Sequence, residues 1–100
     1  GIVSTTFSVA APVNMGGAYQ VRFEGTIPED TTLAIYVSAN GGTSWNSVVY
    51  TYDETFDIQE GTGNIGVPGA DVWVKIAMNT TDLNVTPTIK WFMLLFNEGA

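Results

Sequence analysis

Carboxylates are the main reactive groups in this chain, because the sequence contains neither histidine nor cysteine. It therefore lacks the commonest general base and the usual nucleophile pairs of hydrolases. Asp53, Glu54 and Asp57 lie close together, and Glu24 could reach them in space. Such pairs of carboxylates hydrolyse glycosidic bonds. A domain of this size rarely frames both a cleft and such a pair, so we expect solvated acids and no enzyme.

The same carboxylates are the side chains that calcium prefers as ligands. Their spacing does not match the twelve-residue calcium loop, which needs acids at alternate positions and a final glutamate. We therefore expect no cofactor, and a structural calcium ion is the minor alternative. The acids considered for it are Asp53, Glu54, Asp57, Glu60, Asp71 and Asp82.

Aromatic side chains make up 12% of the residues and offer a second kind of chemistry. Sugars stack their C–H faces on exposed rings, while neighbouring acids and amides bind the hydroxyls. Trp73 stands beside Lys75, opposite the apolar face of its predicted strand, so it is the first candidate for a carbohydrate platform. Tyr36 and Tyr52 come next. The competing interpretation, which we favour, places such rings in the core or at a subunit interface.

Charge excludes two classes of partner. Ten acidic residues stand against Arg22, Lys75 and Lys90, which gives a formal net charge of -7. Phosphate groups are bound by clustered cations, so we expect no binding to nucleic acid or to anionic membranes. No apolar run approaches the ~18 residues of a membrane-spanning helix, so we expect no membrane insertion.

Alternating apolar and polar residues indicate strands throughout the chain. Its 100 residues suit one domain, residues 1–100. Short strands separated by turn clusters predict an all-β fold, an antiparallel β-sandwich of jelly-roll type with seven to eight strands. The clearest strands are 3–9, 19–24, 33–37, 48–52, 72–79 and 89–96, and the turn clusters are 12–17, 25–32, 40–44, 60–71 and 79–87.

Two of these segments carry further expectations. Residues 91–96 are apolar on both faces of their strand, which predicts a place in the middle of a sheet or against a neighbouring subunit. Residues 60–69 contain four glycines and a proline, which predicts a mobile loop.

Residues 38–45 predict a structural hairpin turn between strands 33–37 and 48–52. Asn40, Gly41 and Gly42 reach positive φ at little steric cost. Ser38 and Trp45 flank them, and the indole can fold down as an apolar plug. We expect substitution of either glycine to destabilise the fold.

This turn resembles an Asp-box, with Asn40 in place of the aspartate and Ser44 in place of the threonine. Asp-boxes recur in sialidase propellers and, as a folding device, in unrelated β-proteins. One altered copy without a repeat favours the structural role.

The order of the turn, the strand 72–78 with its Asn79–Asp82 continuation, and the segment 84–89 is similar to β-sandwich modules of bacteriophage tails, baseplates, fibres and decoration proteins. Those modules in turn resemble galactose-binding-like and carbohydrate-binding domains. The resemblance implies a non-enzymatic virion protein that contacts other virion proteins, forms a homo-oligomer and touches host glycans. The alternative is a carbohydrate-binding module of a secreted or cell-surface protein, with an extracellular location.

Overall fold

The computed structural model describes residues 2–8 and 14–98. The predicted strand end at Val9 and the turn beginning at Pro12 lie outside these residues. Eight strands were found: β1 (Ile2–Ser8), β2 (Met15–Thr26), β3 (Thr31–Ser38), β4 (Asn46–Ser47), β5 (Tyr50–Asp53), β6 (Ile58–Gly69), β7 (Trp73–Thr80) and β8 (Thr88–Glu98).

The strands form two four-stranded sheets that pack together as a sandwich. Sheet A has the order β1-β7-β3-β4, and sheet B has the order β5-β6-β2-β8. Every pair of neighbouring strands in the described residues is antiparallel. Consecutive strands lie in different sheets, except for the neighbouring pairs β3–β4 and β5–β6. The predicted antiparallel β-sandwich is confirmed.

Alternation places the core between the sheets. On β2 the residues Tyr19, Val21 and Phe23 point inward, and on β3 the residues Leu33, Ile35 and Val37 face them. The Phe23 ring contacts the edge of Tyr50 at a centroid distance of 5.0 Å. The Tyr50 hydroxyl donates a hydrogen bond to the Leu33 carbonyl. This bond ties β5 in sheet B to β3 in sheet A.

The glycine-rich segment predicted as a loop is instead the long strand β6, which lies between β5 and β2. Its glycines are explained by close packing against neighbouring residues. A Cβ at Gly61 would lie 2.5 Å from the Val49 carbonyl oxygen, and one at Gly63 would lie 2.4 Å from the Tyr19 hydroxyl. These residues pair with β2 in register, so the missing side chains make room for neighbours rather than for a turn.

The hairpin after β3 is shorter than expected. Asn46 and Ser47 pair with β3, opposite Val37 and Tyr36, and the Val48 amide donates a hydrogen bond of 2.9 Å to the Ile35 carbonyl. Val48 then turns into the core, and the chain continues in sheet B as β5. The predicted hairpin between strands 33–37 and 48–52 is therefore wrong from residue 50 onward, because residues 50–53 pair with β6 of sheet B.

Strand β8 lies at the edge of sheet B, with β2 as its neighbour. The expected position in the middle of a sheet is therefore wrong. The other expectation, contact with a neighbouring subunit, stays a prediction. The register with β2 shifts between Glu24 and Gly25, which places a bulge at the start of β8 near Lys90.

Candidate functional site

The turn after β3 is held by two polar side chains. Ser38 is buried, and its hydroxyl accepts hydrogen bonds from the amides of Gly42 at 3.0 Å and Asn40 at 3.2 Å. It donates to Asn40 Oδ1 at 2.9 Å, and this oxygen also accepts from the Ser44 amide at 2.8 Å. Gly41 and Gly42 have φ values of 70° and 86°. The side chains thus bind the amides that the turn would otherwise leave unpaired.

Asp71, which is distant from the turn in the sequence, also anchors it. The Gly41 amide donates to the Asp71 carbonyl at 2.8 Å, and the Asp71 amide donates to the Ala39 carbonyl at 3.1 Å. The Asp71 carboxylate accepts a hydrogen bond of 2.7 Å from the Trp73 indole N–H. The turn is therefore joined to the start of β7 and lies over the outer face of sheet A.

Three side chains stack on this outer face beside the turn. The Lys75 ammonium lies 4.7 Å from the centre of the Tyr36 ring and 4.6 Å from that of Trp45. Each cation–π contact of this kind contributes about 0.5–1 kcal/mol at an exposed site. The ammonium group covers one face of each ring, so those faces are not open to a sugar.

The structure brings together two of the three predicted carbohydrate-binding residues. Tyr36 and Trp73 are both half-buried and lie on the outer face of sheet A, on the neighbouring strands β3 and β7. Tyr52 lies on β5 in sheet B, and its side chain is 54% exposed. Its hydroxyl donates to Asp57 Oδ1 at 2.5 Å. This hydrogen bond, with smaller effects of burial and of nearby acids, raises the pKa of Tyr52.

The outer face of sheet B carries a second surface, an exposed apolar strip along β8. Trp91, Met93 and Leu95 alternate along β8 and are 39%, 43% and 45% exposed. Phe56, in the turn between β5 and β6, is exposed as well. A depression of about 330 Å³ lies between Phe56 and β8, and it is lined by Arg22, Phe56, Ile58, Glu60, Trp91 and Met93. We call the residues Trp91, Met93 and Leu95 the β8 strip.

The floor beside the β8 strip is polar. Gln20 donates a hydrogen bond of 2.7 Å to Glu60, and Arg22 Nε lies 3.7 Å from the other carboxylate oxygen of Glu60. Arg22 Nε is buried and makes no hydrogen bond to any described residue. Sequence patterns did not point to Arg22, Phe56 or Glu60 as neighbours of β8. The only local signal was an isolated aromatic, Phe56, among polar turn residues.

The carboxylates considered for catalysis or calcium are distributed over the molecule. Glu24 lies on β2 and Asp53 on β5, with β6 between them. Asp53 and Asp82 accept hydrogen bonds of 2.9 Å from the amides of Thr55 and Asn84 in their own turns. Within residues 2–8 and 14–98 no three acidic side chains gather around a common point. No helix long and apolar enough to cross a membrane is found in this part of the chain.

Comparison with protein-family models, with curated proteins and with solved structures found no match to this chain. The surfaces described above are the basis for a functional proposal.

Proposed function

We propose that this protein is a non-enzymatic interaction module of a phage-like virion, in a tail, fibre or decoration protein. It acts by holding a protein neighbour against the outer face and edge of sheet B. The order of its turn and strand motifs, which is similar to that of phage β-sandwich modules, supports the virion part of the proposal.

The observation that carries the proposal is the β8 strip. Single exposed apolar residues are ordinary on protein surfaces, but a contiguous apolar patch rimmed by polar groups is typical of an interaction site. Trp91, Met93 and Leu95 form such a patch with Phe56, and Arg22 and Glu60 supply polar groups beside it. Tryptophan, methionine and arginine are also enriched at protein interfaces.

Gold-labelled antibody against the isolated chain tests the virion part in electron microscopy of particles released from the source cells. We expect gold at one fixed position on the particles. Antibody that has been absorbed with the pure chain is the control and should give no label. Chain that is found only free of particles would contradict the proposal.

A second candidate function is carbohydrate binding on the outer face of sheet A, where Tyr36 and Trp73 lie on neighbouring strands. A glycan array followed by calorimetry tests it. Trp73→Ala should abolish binding of any sugar found, while Tyr52→Ala, on the other sheet, should leave it unchanged. Absence of sugar binding, or equal binding by both variants, would remove this candidate.

A further inference from the structure

We propose that β8 pairs with β8 of a second copy of this chain, antiparallel and across a two-fold axis that passes through Leu94. The two sheets B then form one continuous eight-stranded sheet. This inference rests on the proposed interaction role of sheet B and names the partner that covers its edge.

The exposure of β8 favours edge pairing over packing of one face alone. The outward residues of the β8 strip are exposed, and the inward residues Phe92 and Leu94 are only half-buried. Covering the outer face of sheet B would leave the inward side chains partly open to water. A second strand beside β8 covers both sets at once, because its own side chains alternate between the same two faces.

Strand β8 also lacks the features that protect natural sheet edges. The other edge strands of the described sheets are shorter than β8: β1 has seven residues, β4 two and β5 four, whereas β8 has eleven. No proline occurs within β8, and residues 91–97 carry no charge. Long, uncharged edge strands expose a row of unpaired backbone groups that binds another strand. The register shifts near Lys90 and beyond Phe96 affect only the two ends of this edge, and residues 91–96 pair with β2 without interruption.

The sequence of β8 favours one register. Residues directly opposite each other in an antiparallel pair lie on the same face of the sheet. In a sheet that continues across a two-fold axis, the sequence numbers of two opposite residues must therefore add up to an even number. An axis through Leu94 sets position 93 opposite 95 and position 92 opposite 96, which matches apolar residues with apolar residues. At each end of this pair, Lys90 of one copy, which the bulge takes out of register, lies next to the acidic position 98 of the other. Shifting the axis to position 93 or 95 moves these two charges apart.

Disulfide trapping tests the register directly, since the natural chain contains no cysteine. Opposite Cα atoms in an antiparallel pair are about 4.5–5.5 Å apart, within the range that a disulfide spans. Leu94→Cys should therefore form a covalent dimer quickly under mild oxidation. Met93→Cys is the matched control, because it lies on the same strand, is more exposed, and would sit diagonal to its copy. Cross-linking of Met93→Cys as fast as that of Leu94→Cys would overturn the proposal.

A charge exchange provides a second test that leaves the apolar residues unchanged. Wild-type chain should sediment as a dimer of twice the 10.7 kDa monomer mass. Lys90→Glu and Glu98→Lys should each weaken the dimer by about tenfold, because two attractive pairs become repulsive. The double variant Lys90→Glu/Glu98→Lys should restore wild-type affinity.

Dimerisation that is unaffected by the single exchanges, or a wild-type chain that stays monomeric at its highest soluble concentration, would refute the pairing. This failure is distinguishable from failure of the proposed function. A monomeric chain that is still labelled on particles keeps the virion role and loses only the β8 pairing.

Discussion

At the scale of single residues, Gly41 meets two separate constraints. Its φ of 70° lies in the left-handed region, and a Cβ there would lie 2.5 Å from the Asp71 carboxylate. Gly42 shares the positive φ, and its added Cβ would press on the Trp45 ring at 3.1 Å. The turn therefore needs glycine for conformation and for space.

We expect Gly41→Ala to lower the free energy of unfolding by about 1–3 kcal/mol, because the variant combines a strained φ with a close contact. Urea unfolding followed by tryptophan fluorescence measures the change. Gly66→Ala is the matched control, since its Cβ would approach only one atom, at 3.9 Å, and its φ is not positive. Equal stability of the two variants would show that the turn does not need Gly41.

The residues of this turn were within reach of sequence analysis, because Asn-Gly-Gly flanked by Ser and Trp is a local signal. Its anchor was not. Asp71 lies far along the chain, and nothing in its local sequence marks it as the partner of Gly41 or of the Trp73 indole. The contact of Lys75 with both Tyr36 and Trp45 likewise depends on how the turn folds over sheet A.

At the scale of elements, β5 is attached to the opposite sheet through Tyr50. Its hydroxyl donates to the Leu33 carbonyl, and its ring packs against Phe23. The strand is only four residues long, so the Tyr50 side chain contributes much of what holds β5 in place. Burial raises the pKa of Tyr50 above the ordinary tyrosine value of about 10.

We expect Tyr50→Phe to lower the free energy of unfolding by about 1–3 kcal/mol at neutral pH, since the buried Leu33 carbonyl loses its donor. Tyr52→Phe is the control and should lower it less, because that side chain is exposed. Urea unfolding at neutral pH measures both. A larger loss for Tyr52→Phe would contradict the role assigned to Tyr50.

The raised pKa of Tyr50 also predicts a pH dependence. The folded state holds the hydroxyl proton more tightly than the unfolded state does. The stability linked to this group is therefore intact below about pH 10 and is lost as the pH rises from there through the folded-state pKa. Burial also raises the pKa of Tyr19, which adds to this loss of stability at high pH. Tyr50→Phe should flatten the decline of stability above about pH 10, and an unchanged slope would contradict this account.

Local patterns predicted most strands but misplaced two elements. Four glycines and a proline predicted a loop where the structure has β6. Glycine is needed there because Tyr19 and Val49, which are distant in sequence, leave no room for side chains. Residues 91–96 looked like an internal strand because both faces are apolar. Whether such a strand lies inside a sheet or at its edge depends on strand order, which periodicity does not encode.

At the scale of the whole molecule, the two outer faces differ in character. On sheet A the rings of Tyr36 and Trp45 are covered by Lys75, and the turn lies over the adjoining surface. On sheet B the β8 strip is exposed along its length, and β8 itself is an edge strand of the sheet. The exposed apolar side chains that we propose as the interaction surface therefore lie on sheet B.

Hydrogen exchange of the β8 amides, resolved by residue with NMR, tests this central claim most directly. Amides that point toward β2 are protected in any folded state, whereas the alternate amides point to the open edge. We expect both sets in residues 91–97 to exchange slowly in concentrated solution, and the outward set to lose protection on dilution. Rapid exchange of the outward amides at every concentration would contradict the pairing of β8.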